Sequence, residues 1–92
     1  MKIDIHAQNL HIEQALTEFI NKKVSKLFTL HNSIFDTAVY LRDEGGLVKE
    51  VEIKMNVKNQ TLFCKEKGET FEQAVELSFD KMRRQLQKYK QK

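Results

Sequence analysis

Apolar and polar positions alternate at the start of the chain. Ile3 and Ile5 fall on one side of residues 2–7, and Lys2, Asp4 and His6 on the other. A period of two predicts a half-buried strand. Past Gln8-Asn9 the spacing widens to three and four. Ile12, Leu16, Phe19, Ile20, Val24 and Leu27 then share one stripe, which predicts an amphipathic helix from about 12 to 28. Its start is weakly capped, because Glu13 stands where Ser, Thr or Asp would serve better. As an acid, Glu13 still suits the positive end of the helix dipole.

His31-Asn32-Ser33 reads as a loop, and strand character returns over 34–42, with Val39 and Leu41 opposed to Ala38 and Tyr40. Asp43-Glu44-Gly45-Gly46 is a turn. Val51, Ile53, Met55 and Val57 then alternate with Glu50, Glu52, Lys54, Asn56 and Lys58, the clearest strand pattern in the chain. Asn59-Gln60 turns into a fourth strand over 61–66. Its phase is open, since Leu62 and Cys64 face one way and Phe63 the other. Gly68 breaks it. Thr70 and Gln73 fit a capping box for a long helix ending near Tyr89. Phe71, Val75, Phe79, Met82, Leu86 and Tyr89 make its apolar stripe. The order β-α-β-β-β-α, with three consecutive strands and short turns, predicts an α+β two-layer sandwich. Its four-stranded sheet carries both helices on one face.

Ninety-two residues with ordinary apolar content make one small domain, taken here as 1–92. No apolar run approaches a membrane span, and no signal-peptide pattern opens the chain. One cysteine allows no internal disulfide. These features favour a cytoplasmic protein, a monomer when free, with no membrane partner and no small-molecule substrate.

Charge changes the picture more. Residues 81–92 hold six of the sixteen lysines and arginines and none of the thirteen acids, so the rest of the chain is net negative although the whole is +3. Complementing the helix dipole accounts for one or two such charges. Six point to a polyanion. At about 100° per residue, Lys81, Arg84 and Lys88 form one ridge beside the apolar stripe, which Lys92 would extend. Glu72, Glu76 and Asp80 form a ridge on the other flank, with Arg83 and Lys90 nearer to it. Asp80 is placed to pair with Arg83 or Arg84, whereas Lys81 and Lys88 have no local acid. In the first helix Lys22, Lys23 and Lys26 form a second group. Glu18 is spaced to pair with Lys22, and Lys23 borders the apolar arc, where its stem covers core. With the helices side by side, both groups would border one groove suited to RNA phosphates.

The whole chain resembles the ribosome hibernation promoting factor family. The resemblance is carried by Ile3 and Ile5, by Ala15, Leu16 and Phe19, by Lys23, Lys26 and Leu27, and above all by Asp80-Lys81-Met82-Arg83-Arg84-Gln85-Leu86-Gln87-Lys88-Tyr89-Lys90. It implies a fold similar to double-stranded-RNA-binding domains. It also implies a ribosome-binding domain seated in the mRNA and tRNA channel of the small ribosomal subunit, between head and body. There it would block translation in resting cells and, in some members, promote ribosome dimers. The resemblance carries ribosomal-RNA contact to Lys23, Lys26, Lys81, Arg84, Lys88 and Lys90. Lys22 and Arg83 join them on charge and geometry. Glu69-Thr70-Phe71 replaces the family's Asp-Met-Tyr, and the chain ends soon after the last helix, like the short members.

Other residues tempt less. Cys64 has no base in view, and a small apolar filler is the expected role. His6, His11 and His31 share no ligand spacing, and no phosphate-binding glycine loop exists. Neither an enzyme nor a cofactor or metal ion is expected. Tyr40 and Phe63 read as a pair stabilising the open sheet face. Two rival functions follow from the same residues. One is a generic double-stranded-RNA-binding module, and the other a protein-interaction module working through that sheet face.

Overall fold

In the computed structural model, residues 2–8, 10–31, 33–43, 45–46 and 48–90 are described. Asn9, Asn32 and Glu44, which belong to three expected turns, and Lys92, the expected extension of the basic ridge, lie outside them. The elements follow the expected order: β1 (Lys2–Ala7), α1 (Gln14–Leu30), β2 (Ile34–Asp43), β3 (Lys49–Val57), β4 (Gln60–Gly68) and α2 (Phe71–Lys90). The sheet order is β1-β2-β3-β4. β1 runs parallel to β2, as a strand–helix–strand crossover requires. β2, β3 and β4 form the antiparallel meander.

Strand alternation sets two unlike faces. Val39, Leu41, Val51, Ile53, Met55, Leu62 and Cys64 join Leu16, Ile20, Val24 and Leu27 of α1 and Val75, Phe79, Met82 and Leu86 of α2 in one buried cluster. Both helices therefore cover the same sheet face. Each such side chain, fully buried, contributes about 1.5–3 kcal/mol. The phase of β4 is settled: Leu62 and Cys64 point inward, while Phe63 stays 51% exposed. α2 packs over β3 and β4, and α1 lies against α2 with lighter contact to β1.

Helix ends follow their local chemistry. α1 starts and stops about two residues later than its apolar spacing suggests. Glu13 is its N-cap, in extended conformation and with no side-chain cap, so the first turn is held by Glu13's carbonyl alone. At the other end the His31 N–H donates to the Leu27 carbonyl at 2.9 Å. α2 has the expected capping box, with a shifted return bond. The Gln73 N–H donates to Thr70 Oγ1 at 3.1 Å, and Gln73 Oε1 accepts from the Glu69 N–H at 2.8 Å. Gly68 permits this close approach. A Cβ there would stand 3.0 Å from both the Ala74 nitrogen and Gln73 Oε1.

Candidate nucleic-acid interface

On α2 the basic residues divide between two flanks. Taking the buried Val75–Met82–Leu86 line as reference, the helical advance puts Arg83 and Lys90 on one side, with Glu76 and Phe79. Lys81 and Lys88 fall on the other side, and Arg84 points outward. Cross-element contacts identify the sides. Lys23 of α1 pairs with Glu76 at 2.7 Å. A shallow groove between the helices is lined by Lys23, Lys26, Leu27, Leu30, Glu76, Phe79, Asp80 and Arg83. The opposite flank meets β4, where Lys81 pairs with Glu66 and Gln85 Nε2 donates to the Phe63 carbonyl at 2.9 Å.

The expected shared groove therefore needs correcting. Lys81 and Lys88 do not face Lys22 and Lys26; they lie on the flank of α2 turned to β4. Arg83, placed at sequence level on the acidic side, lines the groove, and Glu76 and Asp80 line it as well. A helical wheel is symmetric about its buried stripe. It orders the residues but does not say which flank meets the neighbouring helix. The groove is thus mixed in sign, and the cationic surface is a ridge running across the top of α2.

Electrostatic partners separate held cations from open ones. Lys23 is 29% exposed, sits 5.4 Å above the Phe19 ring and ties the two helices through Glu76. Its stem covers apolar surface as expected. Asp80 takes both Arg83, at 2.9 Å, and Arg84, at 2.7 Å. The hydrogen bond from Arg83, helped by the nearby charge of Arg84, holds the Asp80 carboxyl below its ordinary range. Lys81 does have an acid, Glu66, from a distant strand. The expected Glu18–Lys22 pair is not formed; Glu18 accepts from Gln14 Nε2 at 3.2 Å. Among the described residues Lys22, Lys26, Lys88 and Lys90 have no ion pair. Burial lowers the pKa of His31, and the charge of Lys90 adds to that. The end of α2 therefore lies near the end of α1.

The sheet's open face is built differently. Register aligns Arg42 with Glu50 and Lys67, and Tyr40 with Glu52 and Lys65. Arg42 bonds Glu50 at 3.0 Å and Glu52 at 3.1 Å, and Lys65 and Lys67 each come within 3.9 Å of Glu50. Tyr40 stacks on His6 at 4.9 Å with Arg42 over its ring, while Phe63 stands opposite Lys54. Tyr40 and Phe63 therefore do not pair with each other.

Cys64 is buried, its thiol donates to the Ser78 carbonyl at 3.2 Å, and burial pushes its pKa to about 11. Among the described residues no His, Cys, Asp and Glu side chains converge as a metal site, and no helix is long and apolar enough to cross a membrane. Sequence reasoning missed the counter-ions Glu66 and Glu76 of the site. Only tertiary packing brings them to Lys81 and Lys23, so no local spacing signals them.

Comparison with known proteins agrees with this architecture. Residues 3–92 match the Sigma 54 modulation protein / S30EA ribosomal protein family. A ribosome hibernation promotion factor of Staphylococcus aureus is 26% identical over 92 residues, 98% of this chain and 48% of that protein. The chain thus spans about half the length of that relative. A ribosomal subunit interface protein from Coxiella burnetii matches with a TM-score of 0.92 at 25% identity, covering 100% of both chains. The N-terminal domain of Thermus thermophilus Protein Y matches with a TM-score of 0.86 at 20% identity, over 97% of this chain and 99% of that one, a likeness of fold. The chain therefore belongs to the Sigma 54 modulation protein / S30EA ribosomal protein family, a ribosome-associated and non-enzymatic one.

Proposed function

We propose that this protein binds the small ribosomal subunit in the mRNA and tRNA channel between head and body. It silences translation there by occupancy, and promotion of ribosome dimers belongs to the same reading. The domain 1–92 acts in the cytoplasm and is a monomer when free. Lys22, Lys26, Lys88 and Lys90 reach ribosomal-RNA phosphates directly. Lys23, Lys81, Arg83 and Arg84 do so from within ion pairs.

The observation that carries this reading is the one-sided charge of the molecule. Among the described residues, cations without counter-ions gather on the helices at Lys22, Lys26, Lys88 and Lys90, whereas on the sheet face Glu50 and Glu52 balance Arg42, Lys65 and Lys67. Phosphate contact releases counter-ions, so affinity should fall with salt by a slope of about 0.7–0.9 per contact. Replacing Lys26, Arg84 and Lys88 together by Ala should weaken co-sedimentation with small subunits and flatten that slope. Co-sedimentation equal to the parent's at moderate salt would overturn the proposal. Competition separates a channel ligand from a generic duplex binder. Transfer RNA and this protein should exclude one another on small subunits, while naked duplex RNA binds much more weakly.

A further inference from the structure

A second cationic feature lies where the end of α2 meets the turn between β3 and β4. Lys58, Asn59, Gln60, Tyr89 and Lys90 line an open cleft there, and no carboxylate is among them. In this it differs from the groove between the helices, into which Glu76 and Asp80 project. The side chains offered are two ammonium groups and two amides. All four of those residues are exposed. Such a set donates hydrogen bonds and adds positive charge, which suits the oxygens of a phosphate.

The cleft is also held in shape. The Tyr89 hydroxyl donates to the Lys58 carbonyl at 2.8 Å, tying the last turn of α2 to the backbone of the hairpin turn. The turn itself is two residues long, Lys58-Asn59, between the paired Val57 and Gln60. Asn59 takes a φ of 71°, a left-handed conformation that Asn accepts more readily than most residues. Lys58 and Lys90 are thus carried on two elements that cannot drift apart without breaking this bond. Among the described residues neither lysine has an ion pair to relieve their mutual repulsion.

We infer that this cleft holds a backbone phosphate of RNA, through Lys58 and Lys90, as a contact point separate from the α2 ridge. The inference rests on the RNA-binding reading above and extends it from the helices to the β3–β4 turn. An open cleft walled by exposed side chains fits a polymer passing across it better than an enclosed small anion. Its position beside the last turn of α2 lets one strand continue from Lys88 to Lys58.

The test is binding of the full chain to small subunits across a salt series, for Lys58→Ala, Lys88→Ala and Lys54→Ala. Lys54 is an exposed lysine of equal charge on the open sheet face. Lys58→Ala should weaken binding severalfold and lower the salt slope by about one, with an unchanged melting temperature, while Lys54→Ala binds like the parent. Parental binding by Lys58→Ala with weakened binding by Lys88→Ala would remove the cleft and leave the RNA reading standing. Equal losses in Lys54→Ala and Lys58→Ala would reduce the effect to net charge and also overturn the cleft. Parental binding by both Lys58→Ala and Lys88→Ala would sink the RNA reading, and the cleft with it.

Discussion

The open sheet face and the outer surface of the helices both carry several lysines and arginines, yet they are electrostatically unlike. On the sheet, register places Glu50 and Glu52 among cations of neighbouring strands. Glu50 is only 4% exposed and lies within reach of Arg42, Lys65 and Lys67. On α2 the signs are separated along the axis instead. Its acids occupy the first half, and nothing acidic follows Asp80. Cross-strand pairing acts over the whole strand, whereas helix pairing reaches only three or four residues. A cation beyond that reach of the last acid stays open unless another element supplies a partner. Lys81 finds one in Glu66, and Lys88 does not. The lesson is that the number of cations on a face says little about polyanion affinity; the number left uncompensated decides.

The strongest way to break this contrast is to exchange the faces in a binding assay. Removing Lys22, Lys26 and Lys88, which have no ion pair among the described residues, should lower the salt slope by roughly 2–3 in total, at about 0.7–0.9 per contact. Removing Lys65 and Lys67, both held by Glu50, should leave the slope unchanged. Equal loss from both sets would mean that compensation is irrelevant. A second test addresses the sheet alone. Glu50→Ala leaves Arg42, Lys65 and Lys67 repelling one another around a vacated carboxylate site, at a cost of about 1–3 kcal/mol in urea unfolding. RNA affinity should not fall in that variant.

Smaller effects sharpen the comparison. Glu76→Gln and Glu66→Gln free Lys23 and Lys81, and each should raise subunit affinity modestly at low salt. The same change at Glu52 should not. The least effect concerns His31, 9% exposed, whose pKa burial lowers and the charge of Lys90 lowers further. Its folded pKa is lowered, so below about pH 6.5 the unfolded chain takes up more protons and folding stability declines. A shallow loss of stability from pH 7 to pH 5, absent in His31→Gln, is the expected reading in a thermal scan.

The elements themselves were legible because their periods are clean. Val51 to Val57 could only be a half-buried strand, and the α2 stripe from Val75 to Leu86 could only be one helix face. Residue 63 was ambiguous because Phe suits either sheet face. Packing against α2 settled it, by drawing Leu62 and Cys64 inward. The site was less legible. The basic residues were visible as a set, but their division between two flanks depends on where α1 lies. The pairs Lys23–Glu76 and Lys81–Glu66 join positions far apart in the chain, which no helical spacing encodes. Lys58 was legible only as a solvent-facing strand residue. The hydroxyl of Tyr89, which turns it into one wall of a cleft, became visible only in three dimensions.

The bond from Gln85 to the Phe63 carbonyl bears on solubility at high concentration. β4 is the last strand of the sheet, and an edge strand invites a neighbouring molecule to extend the ladder. Here one rung of that edge is already taken by a side chain of the same molecule. A second sheet stacking end to end must first displace Gln85 and crowd against Lys65 and Lys67, so aggregation through this edge is disfavoured from within.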